Sequence, residues 1–147
     1  MFIRILFIIV LFSIQSFHGQ VLSERDRATL KDSILGDRFD NLLPELMDRT
    51  EIDMWLLISR ENNEDPVLKT MLPATWLNAR RRTILVFYRD KSTNSLEKLA
   101  VARYDVGKNI ISAWNKEEEP DQWKALVDII INREPQKIGI NISTDFA

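Results

Sequence analysis

The chain's fold is constrained most by one short stretch near its middle. Ile52-Asp53-Met54-Trp55-Leu56-Leu57-Ile58-Ser59 is a nearly continuous apolar run with no alternation of polar residues. A run of this length and pattern suits a central strand covered on both faces. Its neighbours must then supply partner strands and covering layers on either side.

Flanking patterns meet that demand. Residues 22–36 read as a helix, with Ser23 as a cap, Asp26 three positions on and Gly36 as a stop or weak point. Phe39, Leu42, Leu43, Leu46 and Met47 then repeat at helical spacing. Pro44 fits in the first turn of a new helix or kinks one longer helix, and both versions end near Thr50. After the apolar run comes a polar loop, Arg60 to Pro66, and the chain is expected to stay irregular past Pro73. Strand character returns at Thr83 to Tyr88. The turn-rich residues Asp90 to Ser95 lead to a hairpin partner over Leu96 to Tyr104, and Asn109 to Trp114 reads as a further strand of the same antiparallel meander. Pro120 is placed to start a helix after Glu117, Glu118 and Glu119. In that helix Trp123, Leu126, Val127, Ile130 and Ile131 repeat at helical spacing, and Trp55 and Trp123 are both expected in the core. Ile138, Ile140 and Ile142 alternate as a half-buried strand. The expected fold is α/β: a mixed β-sheet flanked by helices. The last strand-forming run stops only a few residues before Ala147, which leads us to expect a layer cut short at its C-terminal end, as in a fragment of a longer polypeptide. A naturally short chain is the alternative.

The first residues read as a leader. Arg4 precedes an unbroken apolar run from Ile5 to Phe12, followed by polar Ser13, Gln15 and Ser16. That run is too short to span a bilayer and has the layout of a secretory signal. We therefore divide the chain into a signal peptide over residues 1–20 and one domain over residues 21–147, exported to a periplasmic or extracellular space without a stable membrane anchor. Loss of the leader removes Arg4, one of 20 basic residues, and leaves the 22 acids untouched, a net charge of −3. With no long basic run, this balance argues against nucleic acid as a partner. The chain has no cysteine, so its stability rests on core burial rather than disulfides.

Its one histidine, His18, lies in the leader. The remaining domain thus lacks the imidazole of a Ser-His-Asp or Cys-His arrangement and the usual zinc ligands. Its glycines are scattered, so no phosphate loop forms. Glu61, Glu64 and Asp65 lack calcium-loop spacing and read as a solvated acidic loop. Arg80-Arg81-Arg82 is the densest basic group. Consecutive residues entering a strand point to alternate faces, so they are not expected to make one patch. Either they pair with the Glu61–Asp65 loop or they form a carboxylate-binding or interdomain contact. Trp76, in the irregular segment beside Pro73, is a candidate for the edge of a pocket or interface. The candidate interface or substrate-access residues are Arg60, Glu61, Asn63, Asp65, Trp76, Arg80, Arg81 and Arg82. Asn141-Ile142-Ser143 fits a glycosylation acceptor, although it falls in a strand pattern.

Several strings carry a family resemblance. They are Arg38 to Met47, Ile52 to Leu56, Ser59-Arg60-Glu61-Asn62-Asn63-Glu64-Asp65-Pro66-Val67, Trp76-Leu77-Asn78-Ala79-Arg80-Arg81-Arg82-Thr83, and Ile138 to Ser143. Together they resemble the N-terminal domain of exported bacterial Xaa-Pro aminopeptidases, in the creatinase/prolidase (pita-bread metallopeptidase) family. The resemblance spans about residues 24–147. It implies a ribonuclease-H-like fold and a downstream catalytic domain, where two Asp, one His and two Glu would hold a dinuclear centre of Mn, Co or Zn. No catalytic residue, metal ligand or cofactor is carried over onto this chain. The implied partners are its own C-terminal catalytic domain, a second subunit in a homodimer, and short proline-containing peptides. Glu51 departs from the family, where a helix-ending Gly is common, so the turn there is expected to be built differently if the position would be left-handed. The expected role is assembly and substrate access for a metal-dependent Xaa-Pro aminopeptidase. The alternative is a free-standing exported binding module without peptidase activity.

Overall fold

The computed structural model describes residues 21–145. The expected leader, residues 1–20, lies outside them. The elements in chain order are α1 (Glu24–Asp37), a π-helical turn (Arg38–Leu42), α2 (Leu43–Thr50), β1 (Met54–Arg60), α3 (Pro66–Met71), β2 (Arg82–Asp90), β3 (Ser95–Ala100), β4 (Ile111–Ser112), α4 (Gln122–Arg133) and β5 (Ile138–Ile140). The strands form one mixed sheet in the order β4-β3-β2-β1-β5. The fold is α/β, a mixed five-stranded sheet flanked by helices.

The apolar run becomes β1, and it is covered on both faces as its composition demands. Trp55 and Leu57 of β1, with Leu85 and Phe87 of β2, point to a cluster that includes Leu35, Phe39, Leu43 and Met47 from α1 to α2, and Leu68 from α3. Met54, Leu56, Ile84 and Val86 point the other way, against Ala125, Leu126 and Ile129 of α4. Phe87 is fully buried, and its ring lies 5.6 Å from Phe39 and 5.3 Å from Trp55.

Both expected helices of the first third form, and they run on as one. Ser23 caps α1 by accepting from the Asp26 N–H. Gly36 does not stop it. Pro44 lacks the N–H that would bond back one turn, and its ring would crowd the carbonyl of residue 40. The helix widens just before it, with the Leu43 N–H reaching Arg38 O, and Pro44 then sits in the first turn of α2. The buried row becomes Leu35, Phe39, Leu43 and Met47, while Leu42 turns outward and is exposed.

Several expectations are corrected. The segment before Pro73 is not irregular: Asp65 accepts from the Val67 N–H and starts α3. The hairpin strand ends at Ala100, short of Tyr104. The strand after it is only Ile111–Ser112, and it pairs with β3 in parallel rather than continuing an antiparallel meander. The intervening loop closes through the Val106–Ile110 bridge around Gly107, whose left-handed φ leaves no room for a Cβ, which would lie 2.8 Å from Pro73. Pro120 stands before α4 rather than in it; Asp121 is the cap. Trp123 is not core: it is 42% exposed. Nor is β5 half-buried along its Ile side, because Ile138, Ile140 and Ile142 are all exposed on the sheet's edge.

Glu51 is left-handed (φ 59°, ψ 27°), so the turn keeps the geometry that glycine favours and builds it from glutamate. Glu51→Gly should stabilise the protein by about 1 kcal/mol, the steric cost of a left-handed non-glycine residue, read as a higher denaturation midpoint with unchanged slope.

One carboxylate ties three elements together beside that turn. Asp53 precedes β1, accepts from the Gln136 and Lys137 N–H groups ahead of β5, and pairs with Lys91 at 2.7 Å. Its carbonyl accepts from the Arg89 N–H, and Arg89 grips Asp48 of α2 through two bonds of 3.0 Å. The Lys91 bond holds Asp53 below the usual carboxylate range, and the Arg89 bond does the same for Asp48. Asp90, bonded by Ser92 and then Thr93, drops to about 2. A carboxyl with a folded pKa below its unfolded one stabilises above the unfolded value, and that contribution is lost as pH falls through the folded one. Stability should therefore be level at neutral pH and decline from about pH 4 toward 2. Asp53→Ala should cost about 1–3 kcal/mol at pH 7 and flatten that acid decline, as followed by denaturant melts across pH.

Candidate functional site

At the end of the sheet opposite Asp53, β1 finishes and β2 begins, and the side chains there change from apolar to basic. The antiparallel register sets Arg60, the last residue of β1, directly across from Arg82, the first of β2. Residues so paired have Cβ atoms only about 5 Å apart, and like charges in that position are destabilising. They open a basin of about 890 Å³. Its cations are Arg60, Arg80, Arg81, Arg82, Arg103 and Lys116, against one acid, Glu61. Among the described residues, none of these six cations is in an ion pair. A protein of net charge −2 thus gathers an excess of positive charge in one hollow.

The approach to β2 explains how three consecutive arginines share it. Strand alternation would split them between faces, but Arg81 is left-handed (φ 52°), which breaks the alternation before β2 starts. Two bonds hold that conformation: the Glu61 N–H donates to Arg81 O at 2.7 Å, and the Arg81 N–H donates to a Glu61 carboxylate oxygen at 3.2 Å. Glu61 therefore meets the triplet through its backbone. The Arg80 N–H is fixed in turn by the buried Thr83 hydroxyl. All three arginines line the basin around the end of the sheet, with Arg80 on Trp76, which packs with the α1–α2 layer, and Arg82 on Trp123 of α4.

Aromatic rings orient two of the guanidinium groups. Arg80 lies over Trp76 at 4.8 Å and Tyr104 at 5.5 Å from the ring centroids. Arg82 lies over Trp123 at 4.6 Å. Such stacking fixes a cation without neutralising it; the Arg80 guanidinium also donates to the Tyr104 hydroxyl at 3.4 Å and keeps further N–H groups for a ligand. Trp76 is buried at 7% exposure and walls the basin; Tyr104, at 46%, presents its ring at the rim. The Gln122 amide is already used, donating to Arg82 O and Val101 O, and it anchors the start of α4 to the sheet.

Of the eight candidate residues from sequence, Arg60, Glu61, Trp76, Arg80, Arg81 and Arg82 come together here. Asn63 and Asp65 do not line the basin. Asn63 closes a tight bridge back to Arg60, and Asp65 caps α3 while accepting from the Asn141 amide at 2.7 Å. Asn141 also accepts from the Trp55 indole at 2.8 Å through its oxygen, and a glycan on its nitrogen would compete with the bond to Asp65. Sequence reasoning missed Arg103, Tyr104 and Lys116, which come from the loops on either side of β4. Among the described residues, no group of three or more His, Cys, Asp or Glu could hold a metal ion, and no helix is long and apolar enough to cross a membrane. Compared with protein-family models, curated proteins and solved structures, the chain matches none.

The opposed arginines have a measurable cost. Arg60→Gln should raise stability by about 0.2–1 kcal/mol at low ionic strength, and the gain should shrink as salt screens the pair. Denaturation midpoints at low and high sodium chloride check both parts.

Proposed function

We propose that this chain is the non-catalytic N-terminal domain of an exported, metal-dependent Xaa-Pro aminopeptidase, acting in assembly and substrate access. On this reading its fold is the ribonuclease-H-like form of the creatinase/prolidase N-terminal domain, and the dinuclear metal belongs to a downstream catalytic domain. One observation carries the reading. Two strings that resemble the family, Ser59 to Val67 and Trp76 to Thr83, are separated in the chain by α3, and both contribute to the basic basin: Arg60 and Glu61 from the first, Trp76 and the three arginines from the second. Guanidinium groups held by aromatic rings suit the carboxylate of a short peptide. An apolar row supports the assembly role: Trp123, Val127 and Ile131, at four-residue spacing on α4, are all exposed. Ile138 and Ile140 are in register with Met54 and Leu56, on the same side of the sheet as α4, and they are exposed too. Apolar rows of this kind mark surfaces that a second body of protein covers.

A free-standing exported binding module is the second reading. It is motivated by the cations of the basin, six of which gather in one hollow with a single carboxylate among them.

Extension of the polypeptide into the downstream reading frame separates the two. The peptidase reading expects the extended protein to release the residue before proline from short peptides when Mn, Co or Zn is added, and the 147-residue chain to release none. A stop codon directly after Ala147, or turnover by the short chain itself, overturns it.

A further inference from the structure

The geometry points to the basin as a binding site for a small polyanion, a ligand carrying at least two phosphate or carboxylate groups. This goes beyond the peptidase reading and does not rest on it, since the basin's ligand chemistry is the same whether the domain serves an enzyme or stands alone.

Three features of the site select that class. The first is uncompensated charge. Arg60 and Arg82 face each other across paired strands, and Arg80, Arg81, Arg103 and Lys116 converge on the same hollow, with Glu61 as its one carboxylate. A single carboxylate or phosphate saturates one guanidinium fork, or bridges two. Most of the six cations would remain unanswered by a monovalent ligand, whereas a ligand with two or three anionic groups answers them together. The second is preorganisation. The Arg80 guanidinium is held against Trp76 and Tyr104 and that of Arg82 against Trp123, while Glu61 fixes the backbone turn at Arg81. Fixed side chains lose little freedom on binding, which raises affinity without adding contacts. Left-handed strain at a non-glycine residue is also the kind of local cost that a fold retains at binding sites. The third is size. A hollow of about 890 Å³ is in the range of small-molecule sites and far exceeds one phosphate. Phosphate esters and polycarboxylates share the chemistry that these forks read.

Inorganic pyrophosphate and citrate, titrated against the 147-residue chain by calorimetry at fixed ionic strength, test the inference. Each should saturate near one equivalent and bind about tenfold or more tightly than acetate, and each should raise the melting temperature, because the anion relieves repulsion present only in the folded state. The double variant Arg60→Gln with Arg82→Gln should lose at least about tenfold in affinity, as one or more charge-assisted bonds disappear. Arg103→Gln, a change at an exposed loop position, should lose affinity with folding intact. Lys69→Gln, on α3 away from the basin, should change nothing. Tighter binding of pyrophosphate assigns the site to phosphate esters, and tighter binding of citrate to polycarboxylates. Failure to saturate, equal affinity for acetate, or an affinity unmoved by both basin variants overturns the inference. The peptidase reading is judged separately, on the extended polypeptide.

Discussion

The pairing of β1 with β2, dry on both faces, is the constraint on which the rest of the structure depends. Seven consecutive residues of β1, Met54 to Arg60, face Tyr88 to Arg82 without a break. Because side chains alternate along each strand, this one register decides which residues meet the α1–α2 layer and which meet α4. A slip of β1 by one position would turn Trp55 and Leu57 toward α4 and set Met54 and Leu56 against the Phe39 side. Both layers are fitted to their present faces, so that slip would empty two packed clusters at once, and deletion of a single large buried ring such as Phe87 already costs about 3–5 kcal/mol. The register is therefore held from both sides rather than by the turn alone.

The two ends of that ladder are finished in opposite ways. At the Met54 end the opening charges are neutralised: Asp53 meets Lys91 and two backbone N–H groups, and Arg89 meets Asp48. At the Arg60 end they are not. The same register that buries the apolar core forces Arg60 opposite Arg82, and the chain adds Arg80 and Arg81 beside them instead of an acid. Had stability alone shaped this end, a carboxylate at residue 60 or 82 would have served better. Strain at Arg81 and repulsion across the strands coincide in one hollow, so two local rules are broken there together.

How much of this was legible in the sequence follows from how local each signal is. The apolar run of β1 and the Ser23 cap are read from neighbouring residues and appear where the pattern puts them, while the Phe39–Met47 row loses Leu42 to the surface at the π-helical turn before Pro44. Trp123 failed because helical spacing shows which residues share a face but not how much of that face the sheet covers. The apolar arc of α4 is wider than its contact, so Ala125, Leu126 and Ile129 are buried while Trp123, Val127 and Ile131 remain outside. For the arginine triplet, alternation ruled out one flat patch but gave no sign that all three border one hollow, because it assumes extended backbone and Arg81 is left-handed. Only tertiary bonds from Glu61 hold Arg81 there, and no local pattern announces them. Arg103 and Lys116 reach the basin because β4 adds to the sheet in parallel, a pairing between segments that no short-range periodicity encodes.

Trp123 joins the two unusual surfaces. Its ring supports Arg82 at the basin, and it also begins the exposed row that Val127 and Ile131 continue along α4. The helix runs from Arg82 and Val101, where Gln122 is bonded, to Tyr88 and Glu97, where Arg133 is bonded. A body of protein lying on the row would also cover part of Trp123. Exclusion of water there would strengthen the cation–π contact, since that attraction grows as its surroundings are desolvated. Arg82 would then be held more firmly over the hollow, with its N–H edge still presented to a ligand. In this way the apolar row and the basic basin, one apolar and the other cationic, meet at one indole ring.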